Sequence, residues 1–288
     1  MLVHIRSIVR GAVAGKYAVG AFNVNDLEMT QAVLRAADKL KSPVIIQVTE
    51  SAIAYAGLDE LFALIKAGAD EIKAPVAIHL DHGHDFELIR KCVASGFSSV
   101  MIDGSALPFE ENVALTKKVV DYCHGKNVWV QGEIGRLSGV QGAKIITKEA
   151  AGFTDPREAA LFVEKTGVDA VAVSVGNIHG VQKIVQRQPK KLNLKRLAEI
   201  AKIVKIPIVL HGASGFSGAQ IKKAIALGVR IANIDSELRL AFSGAERKFL
   251  LNNKTATDPR KILRPAIIEM QKTVEKKIKM FACEKKAK

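Results

Sequence analysis

The sequence predicts a single-domain (β/α)8 TIM barrel of the α/β class, with a C-terminal helical extension over about residues 252–288. Three observations predict this fold. Eight short runs rich in β-branched residues alternate with segments of helical period, which indicates βα units around a parallel sheet. The chain has 288 residues, a length that one α/β barrel often fills. No low-complexity segment or Pro/Gly/Ser-rich linker divides it, so we expect one domain over residues 1–288.

The predicted strands and helices alternate along the whole chain. The eight predicted strands cover residues 17–24, 43–49, 75–81, 98–103, 127–133, 168–175, 206–211 and 229–235. The predicted helices cover residues 26–41, 58–73, 86–95, 110–125, 156–166, 194–205, 217–227, 237–251 and 259–283. Asp155, which precedes Pro156, and Ser217 are residue types that cap helix N-termini.

A doubly wound sheet is the alternative arrangement of βα units. Such folds usually have fewer strands and a GxGxxG motif after the first strand. The first run here ends in AFNVND (residues 21–26), which lacks those glycines. This favours the barrel.

Composition limits the classes of function. Lys and Arg total 43 against 29 Asp and Glu, a net charge of +14, which suits an anionic small substrate as well as nucleic acid. The basic residues are spread along the chain and aromatic residues are only 5%, so base-stacking surfaces are poorly supplied and we expect no nucleic-acid partner. No uncharged apolar run reaches the roughly 18 residues of a membrane span. Three cysteines without a CxxC motif favour a cytoplasmic location.

Polar residues stand where the predicted strands end, which is where barrel enzymes place their chemistry. They include three histidines, His82, His179 and His211. Three neutral imidazoles leave an open position on Zn²⁺, the arrangement of a catalytic zinc site, although each histidine alone is more often structural. The other strand-end residues are Asn23, Asn25, Thr49, Glu50, Asp81, Asp103, Glu133, Asn177, Asn233, Asp235 and Ser236.

Two further histidines and two loops leave alternatives open. His79 is either a partner of a metal ligand or a buried core residue, and His84 is a surface or cap residue. The loops after strands seven and eight, HGASG (residues 211–215) and NIDS (residues 233–236), lie where barrels often bind phosphate, although the glycines could simply make the turns. No lysine lies at a predicted strand end, so a Schiff-base mechanism lacks its nucleophile.

The chain resembles the class II, metal-dependent fructose-bisphosphate and tagatose-bisphosphate aldolases. The matching stretches run in order almost from end to end: GAFNVND (20–26), HLDHG (79–83), SSVMIDGS (98–105), GEIGRLSG (132–139), TGVDAVAVSVGNIHG (166–180), PIVLHGASG (207–215), ANIDSELRLAF (232–242) and DPRK (258–261). The resemblance implies a lyase that cleaves fructose or tagatose 1,6-bisphosphate reversibly to dihydroxyacetone phosphate and glyceraldehyde 3-phosphate. It does not distinguish the two sugars, and it implies a homodimer or homotetramer.

The resemblance also implies a role for each site residue. His82, His179 and His211 would hold the catalytic Zn²⁺, and Asp81 would be the acid and base on the C4 hydroxyl. Asp103 and Glu133 match a second metal position, and a second divalent or a monovalent cation is compatible with the family. The residues that match substrate contacts of the family are Thr49, Gly180, Gly212, Ala213, Ser214, Asn233, Ile234, Asp235 and Ser236. Arg260, together with Asp258, matches a C-terminal pair that reaches the substrate of a neighbouring subunit.

One position departs from the family pattern. Where relatives carry a glutamate that exchanges the C3 proton of the triose, this chain has Gln141, and an amide has no basic carboxylate. Glu149 or Glu50 is a candidate to replace the missing base, or else the transfer of the C3 proton is slow in this protein. The alternative function is a diverged sugar-phosphate-binding homologue with weak or altered aldolase activity.

Overall fold

The structure is a computed structural model of the chain. It describes residues 1–135, 138–141, 144–146, 152–180 and 191–287, with the backbone alone for 138–141, 144–146 and 179. None of the described helices is both long and apolar enough to cross a membrane.

Eight parallel strands close into a barrel, as predicted. The predicted runs correspond one by one to β1 (Val19–Asn23), β2 (Val44–Thr49), β3 (Val76–Gly83), β4 (Ser99–Ile102), β5 (Trp129–Ile134), β6 (Ala170–Val173), β7 (Ile208–Leu210) and β8 (Val229–Ile234). Neighbouring strands follow chain order, and β1 closes the barrel against β8 with Val19 paired to Ile231. Valine, isoleucine and alanine side chains of these strands are buried on both faces of the sheet, as expected for a parallel sheet that is covered by helices.

Helices surround the barrel. In the part of the chain that is described they are α1 (Ile5–Gly15), α2 (Leu27–Lys39), α3 (Glu50–Ala56), α4 (Leu58–Asp70), α5 (Phe86–Ser95), α6 (Phe109–His124), α7 (Pro156–Thr166), α8 (Leu194–Ile203), α9 (Gly218–Ala226), α10 (Ser236–Asn252) and α11 (Pro259–Met280). The predicted caps are confirmed, because Asp155 accepts the amides of residues 157 and 158 and Ser217 accepts the amide of residue 220. The predicted domain limits remain a prediction.

Three elements were not predicted. The N-terminal segment forms α1, whose buried residues Ile5, Ile8, Val9 and Ala12 have helical spacing. Helix α3 begins directly at the end of β2. A small second sheet joins Ser138–Gln141, Lys144–Ile146 and Ile178–His179, beside the end of β5.

The C-terminal helix α11 packs on α2 and α10 and carries a partly buried ion pair. Lys277 is only 2% exposed, and its Nζ contacts the carboxylate of Glu237, whose side chain is 23% exposed, in the first turn of α10. Breaking a fully buried pair from one side costs about 3–5 kcal/mol and breaking an exposed pair about 0–1 kcal/mol, so this pair lies between the two.

We therefore expect Lys277→Ala to lower the free energy of unfolding by about 1–3 kcal/mol, because the buried stem of Lys277 loses its packing and Glu237 loses its counter-charge. Lys272→Ala is the matched control. It removes an exposed pair with Glu269 on the same helix and should cost at most about 0.5 kcal/mol. Chemical unfolding of both variants measures the difference, and equal losses would contradict a structural role for the buried pair.

Candidate active site

The carboxyl ends of four barrel strands bring five charged or titratable side chains together. Asp81 and His82 belong to β3, Asp103 follows β4, Glu133 lies in β5 and His211 follows β7. Residues as far apart in the sequence as Asp81 and His211, 130 positions, meet because parallel strands end at the same rim of the barrel. The predicted grouping of these five residues is therefore present in the structure.

His82 has an unusual backbone conformation and a short side-chain contact. Its φ is +49°, in the left-handed region, at a point where the register of β3 against β4 shifts. The Gly83 carbonyl there accepts the Asp103 amide at 2.8 Å. The His82 Nδ1 atom lies 2.6 Å from Asp103 Oδ2, a hydrogen bond that fixes the ring.

Glu133 lies between the two imidazoles. Its Oε2 atom is 3.4 Å from His211 Nδ1 and 3.8 Å from His82 Nδ1. The two rings meet edge to face, with centroids 4.7 Å apart. Among the described residues, neither carboxylate oxygen of Glu133 has a hydrogen-bond partner, although both are buried. A buried carboxylate without donors is costly unless it is protonated or binds a cation.

Asp81 is held by three amide groups. Its Oδ2 accepts a hydrogen bond from Asn23 Nδ2 at 2.7 Å, and its Oδ1 accepts from Gln47 Nε2 and Asn233 Nδ2, both at 3.3 Å. The residue is 4% exposed, and Oδ1 lies 4.0 Å from His82 Nε2. The carboxylate thus has a fixed orientation directly beside the histidine cluster.

The electrostatics of the cluster suit a cation. Burial alone lowers the pKa of His82, but the charges of Asp81, Asp103 and Glu133 outweigh burial and raise that pKa to about 10. Burial, followed by the charge of Asp103, raises the pKa of Glu133 well above its ordinary value. Burial is the largest single effect on Asp103 and raises its pKa, but the hydrogen bond and charge of His82 and the hydrogen bonds from Ser105 together outweigh burial and hold that pKa below its ordinary value. The metal-free cluster therefore retains protons that a divalent cation would displace.

The donor set fits a metal ion of the zinc type. Two groups, Asp81 with His82 and His211, and His82 with Asp103 and Glu133, each place one ligand atom per residue within 4.8 Å of the others. Imidazole nitrogens and carboxylate oxygens are the ligands that zinc takes in catalytic sites. The predicted third histidine, His179, ends a short strand, and its side chain lies outside the described residues, so its role stays a prediction.

Sequence reasoning missed two amide side chains that support the cluster. Gln131 Nε2 lies 2.8 Å from His211 Nε2, and Gln47 binds Asp81 as described above. Both are buried polar residues within strands, two positions before Glu133 and Thr49 respectively, so they share the inward face of the barrel. The signal available in the sequence was a polar residue two positions before each of these strand-end residues, on the same face of the strand.

Of the two roles considered for His79, partner of a metal ligand or buried core residue, the structure favours the core residue. It is buried on β3, and its Nδ1 lies 2.7 Å from Ser99 Oγ. Burial, followed by the charge of His82, lowers the pKa of His79 to about 3, so the ring is neutral. It belongs to neither metal-capable group of the described residues.

The loops predicted to bind phosphate turn at glycines, and phosphate binding there stays a prediction. Gly212 and Gly215 have φ of +57° and +83°, and Gly180 has φ of +108°, which glycine adopts without strain. The Ala213 amide binds the Asn233 carbonyl at 3.1 Å, so the loops after β7 and β8 lie against each other. Helix α10 begins at Ser236, and its N-terminal end adjoins Ile234 and Asp235. Burial raises the pKa of Asp235, whose carboxylate is paired with Arg239.

Two predicted substrate contacts have other partners in the structure. The Thr49 hydroxyl caps α3 by accepting the Ala52 amide at 3.2 Å, and it also bonds Ser51. Arg260 is exposed at the start of α11, and its guanidinium bonds Asp258 through two nitrogens at 3.0 and 3.1 Å. Neither residue is part of the metal-capable groups in the described structure.

Comparisons with known proteins agree with the fold. The family model described as fructose-bisphosphate aldolase class-II matches residues 3–286. The YdjI aldolase from Escherichia coli K12 is 34% identical, with a TM-score of 0.85 and 100% of both chains covered. A putative fructose-1,6-biphosphate aldolase from Coccidioides immitis is 28% identical, with a TM-score of 0.87 over 99% of this chain and 98% of that one.

Fructose-bisphosphate aldolase from Campylobacter jejuni is also similar. It is 26% identical, with a TM-score of 0.82 over 99% of this chain and 96% of that one. Because the family match extends over nearly the whole chain and every structural neighbour named here is an aldolase, the protein is a lyase that belongs to the class II fructose-bisphosphate aldolase family.

Proposed function

We propose that this protein is a zinc-dependent ketose-bisphosphate aldolase. Its reaction is the reversible cleavage of fructose or tagatose 1,6-bisphosphate to dihydroxyacetone phosphate and glyceraldehyde 3-phosphate. The observation that carries the proposal is the position of Asp81, an amide-held carboxylate 4.0 Å from His82 within one metal-capable group that also includes His211. An acid–base group directly beside a divalent cation is what a metal-assisted aldol cleavage requires.

The metal would be held by His82 and His211, with His179 as the proposed third imidazole. Asp103 and Glu133 would orient these ligands or hold a second divalent or a monovalent cation. When bound, the divalent ion supplies Lewis-acid stabilisation of the negative charge that develops on the ketose oxygens as the C3–C4 bond breaks.

Asp81 has the role of accepting the proton of the C4 hydroxyl during cleavage and returning it during synthesis. Asn23, Gln47 and Asn233 hold its two oxygens, so little reorientation is needed at the moment of proton transfer. The dihydroxyacetone phosphate portion would lie against Gly180, the loop of residues 212–214 and the loop of residues 233–236. Backbone amides and the N-terminal end of α10 are suited to a phosphate there.

The assay that tests this function measures triose phosphate release from fructose 1,6-bisphosphate and from tagatose 1,6-bisphosphate. Each substrate is assayed with added zinc, with EDTA, and with EDTA followed by excess zinc. We expect release that EDTA abolishes and zinc restores, with the better substrate of the two defined by kcat/KM. Release that persists in EDTA would contradict zinc dependence, and no release from either sugar would favour the diverged sugar-phosphate-binding homologue.

Gln141 gives a separate prediction about the rate of C3 proton transfer. Its side chain lies outside the described residues, and its backbone pairs with Lys144 in a hairpin near the end of β5. We expect Gln141→Glu to accelerate solvent proton exchange into dihydroxyacetone phosphate by about 10²-fold, because a carboxylate supplies the missing base. Unchanged exchange would show that proton transfer at C3 does not depend on this position.

We also propose that the protein is a homodimer or homotetramer in which Arg260 reaches the substrate of a neighbouring subunit. Two features support this. The Arg260 side chain is largely exposed. An apolar groove lies between α10 and α11 and is lined by Leu240, Phe249, Pro265 and Ile268. The solution mass measured by light scattering decides between these states and a monomer.

A further inference from the structure

The Glu50 carboxylate joins the loops that follow β2 and β3. Glu50 is the first residue of α3, directly after β2. Its Oε1 accepts the backbone amides of His84 at 2.6 Å and Asp85 at 3.4 Å. Its Oε2 lies 3.4 Å from His84 Nδ1. Both carboxylate oxygens are therefore engaged by the β3 loop, which leaves Glu50 poorly placed to replace the missing base at position 141.

The His84 ring extends this contact towards the metal-capable cluster. Its Nε2 lies 3.8 Å from Asp103 Oδ2. The same Asp103 oxygen is bonded to His82 Nδ1 at 2.6 Å, while the other accepts the Ser105 amide at 3.0 Å. Glu50, His84, Asp103 and His82 thus form a continuous series of polar contacts from the rim of the barrel to the cluster.

The β3 loop needs such support, because its backbone is strained and leaves the sheet. His82 is a non-glycine residue in the left-handed region, where its Cβ comes too close to the following carbonyl oxygen. The register of β3 against β4 shifts between Leu80 and Gly83, and there the Gly83 carbonyl bonds the Asp103 amide. On the β2 side, the hydrogen bonds of Glu50 hold the loop.

We propose that Glu50 is a positioning residue, which fixes the β3 loop and the His84 ring and thereby holds His82 and Asp103 in the geometry that binds the metal ion. The inference rests on the proposed function, since it concerns the metal of that same site. Groups that orient metal ligands typically change metal affinity by 10–100-fold when they are removed.

The test measures the zinc dissociation constant of the apoprotein by competition with a chelator, independently of turnover. We expect Glu50→Ala to weaken zinc binding by about 10–100-fold. Glu50→Gln retains an oxygen that accepts the two amides, and we expect it to bind zinc within about fivefold of the unmodified protein. Glu87→Ala is the matched control, because it removes an exposed carboxylate at the start of α5 that pairs with Arg90, and it should leave zinc affinity unchanged.

Backbone hydrogen exchange of the apoproteins provides a second readout. We expect the amides of His84 and Asp85 to exchange faster in Glu50→Ala and to regain protection in Glu50→Gln, which also serves if the alanine variant does not fold. Zinc affinity in Glu50→Ala equal to that of the unmodified protein would overturn the proposal, as would a loss of affinity that Glu50→Gln does not recover. A protein that binds zinc but cleaves neither sugar would instead contradict the proposed function, and the affinities of the variants would still decide the role of Glu50.

Discussion

Replacing Asp81 with alanine is expected to lower kcat for sugar bisphosphate cleavage by about 10²–10⁴-fold, the contribution typical of a positioned general base. The zinc content should stay near that of the unmodified protein. The reason is that Asp81 lies at the edge of the cluster, 4.0 Å from His82, and its oxygens are held by Asn23, Gln47 and Asn233. Steady-state kinetics and metal analysis of the same preparation measure both effects.

A suitable control is Asp59→Ala, which removes a carboxylate from the first turn of α4, outside the metal-capable groups of the described residues. Its kcat and zinc content should match those of the unmodified protein. If Asp81→Ala loses its zinc together with its activity, Asp81 is a metal ligand and the assignment of the base is wrong.

The second large effect is expected at His211. His211→Gln should lower the zinc content to a small fraction of an ion per chain and reduce kcat/KM by about 10³-fold or more, because a Lewis-acid metal contributes several kcal/mol to the transition state. The ring is fully buried between Gln131 and Glu133, so no other described side chain can take its place without rearrangement.

His79→Gln is the matched comparison, since His79 is another buried histidine of the barrel interior and lies outside both metal-capable groups of the described residues. We expect this variant to keep its zinc, with any loss confined to stability through the hydrogen bond to Ser99. Equal zinc loss in the two variants would show that the histidines act through the packing of the barrel and not as ligands.

The barrel could be predicted because two features of the sequence indicate each strand. Runs such as VIIQVT, which forms β2, are rich in β-branched residues and mostly buried. Each predicted run ends in a polar residue or is followed by one within two positions. Helix α1 was not predicted, although its buried residues Ile5, Ile8 and Ala12 have helical spacing. The antiparallel strands that contain Gln141 and Lys144 could not be predicted, because strands of four and three residues are too short to show a regular pattern in the sequence.

The sequence predicts which residues come together in the site, but it does not predict the contacts that hold them there. Strand-end placement alone brings Asp81, His82 and His211 together, since all parallel strands end at one rim. The left-handed backbone of His82 lies at a register shift between β3 and β4, and Glu50 contacts residues 84 and 85 across two loops. No local sequence pattern reveals either feature. Thr49 was predicted to contact the substrate, but in the structure its hydroxyl caps helix α3, a role that strand-end placement does not predict.

The most direct test of the account is zinc-edge anomalous diffraction from crystals of the protein grown with zinc. We predict a strong anomalous peak at the carboxyl end of the barrel, bonded to the imidazoles of His82 and His211 and adjacent to the Asp81 carboxylate. A map with no peak between these rings, or with zinc bound only elsewhere on the protein, would contradict the central claim that these histidines form a catalytic metal site.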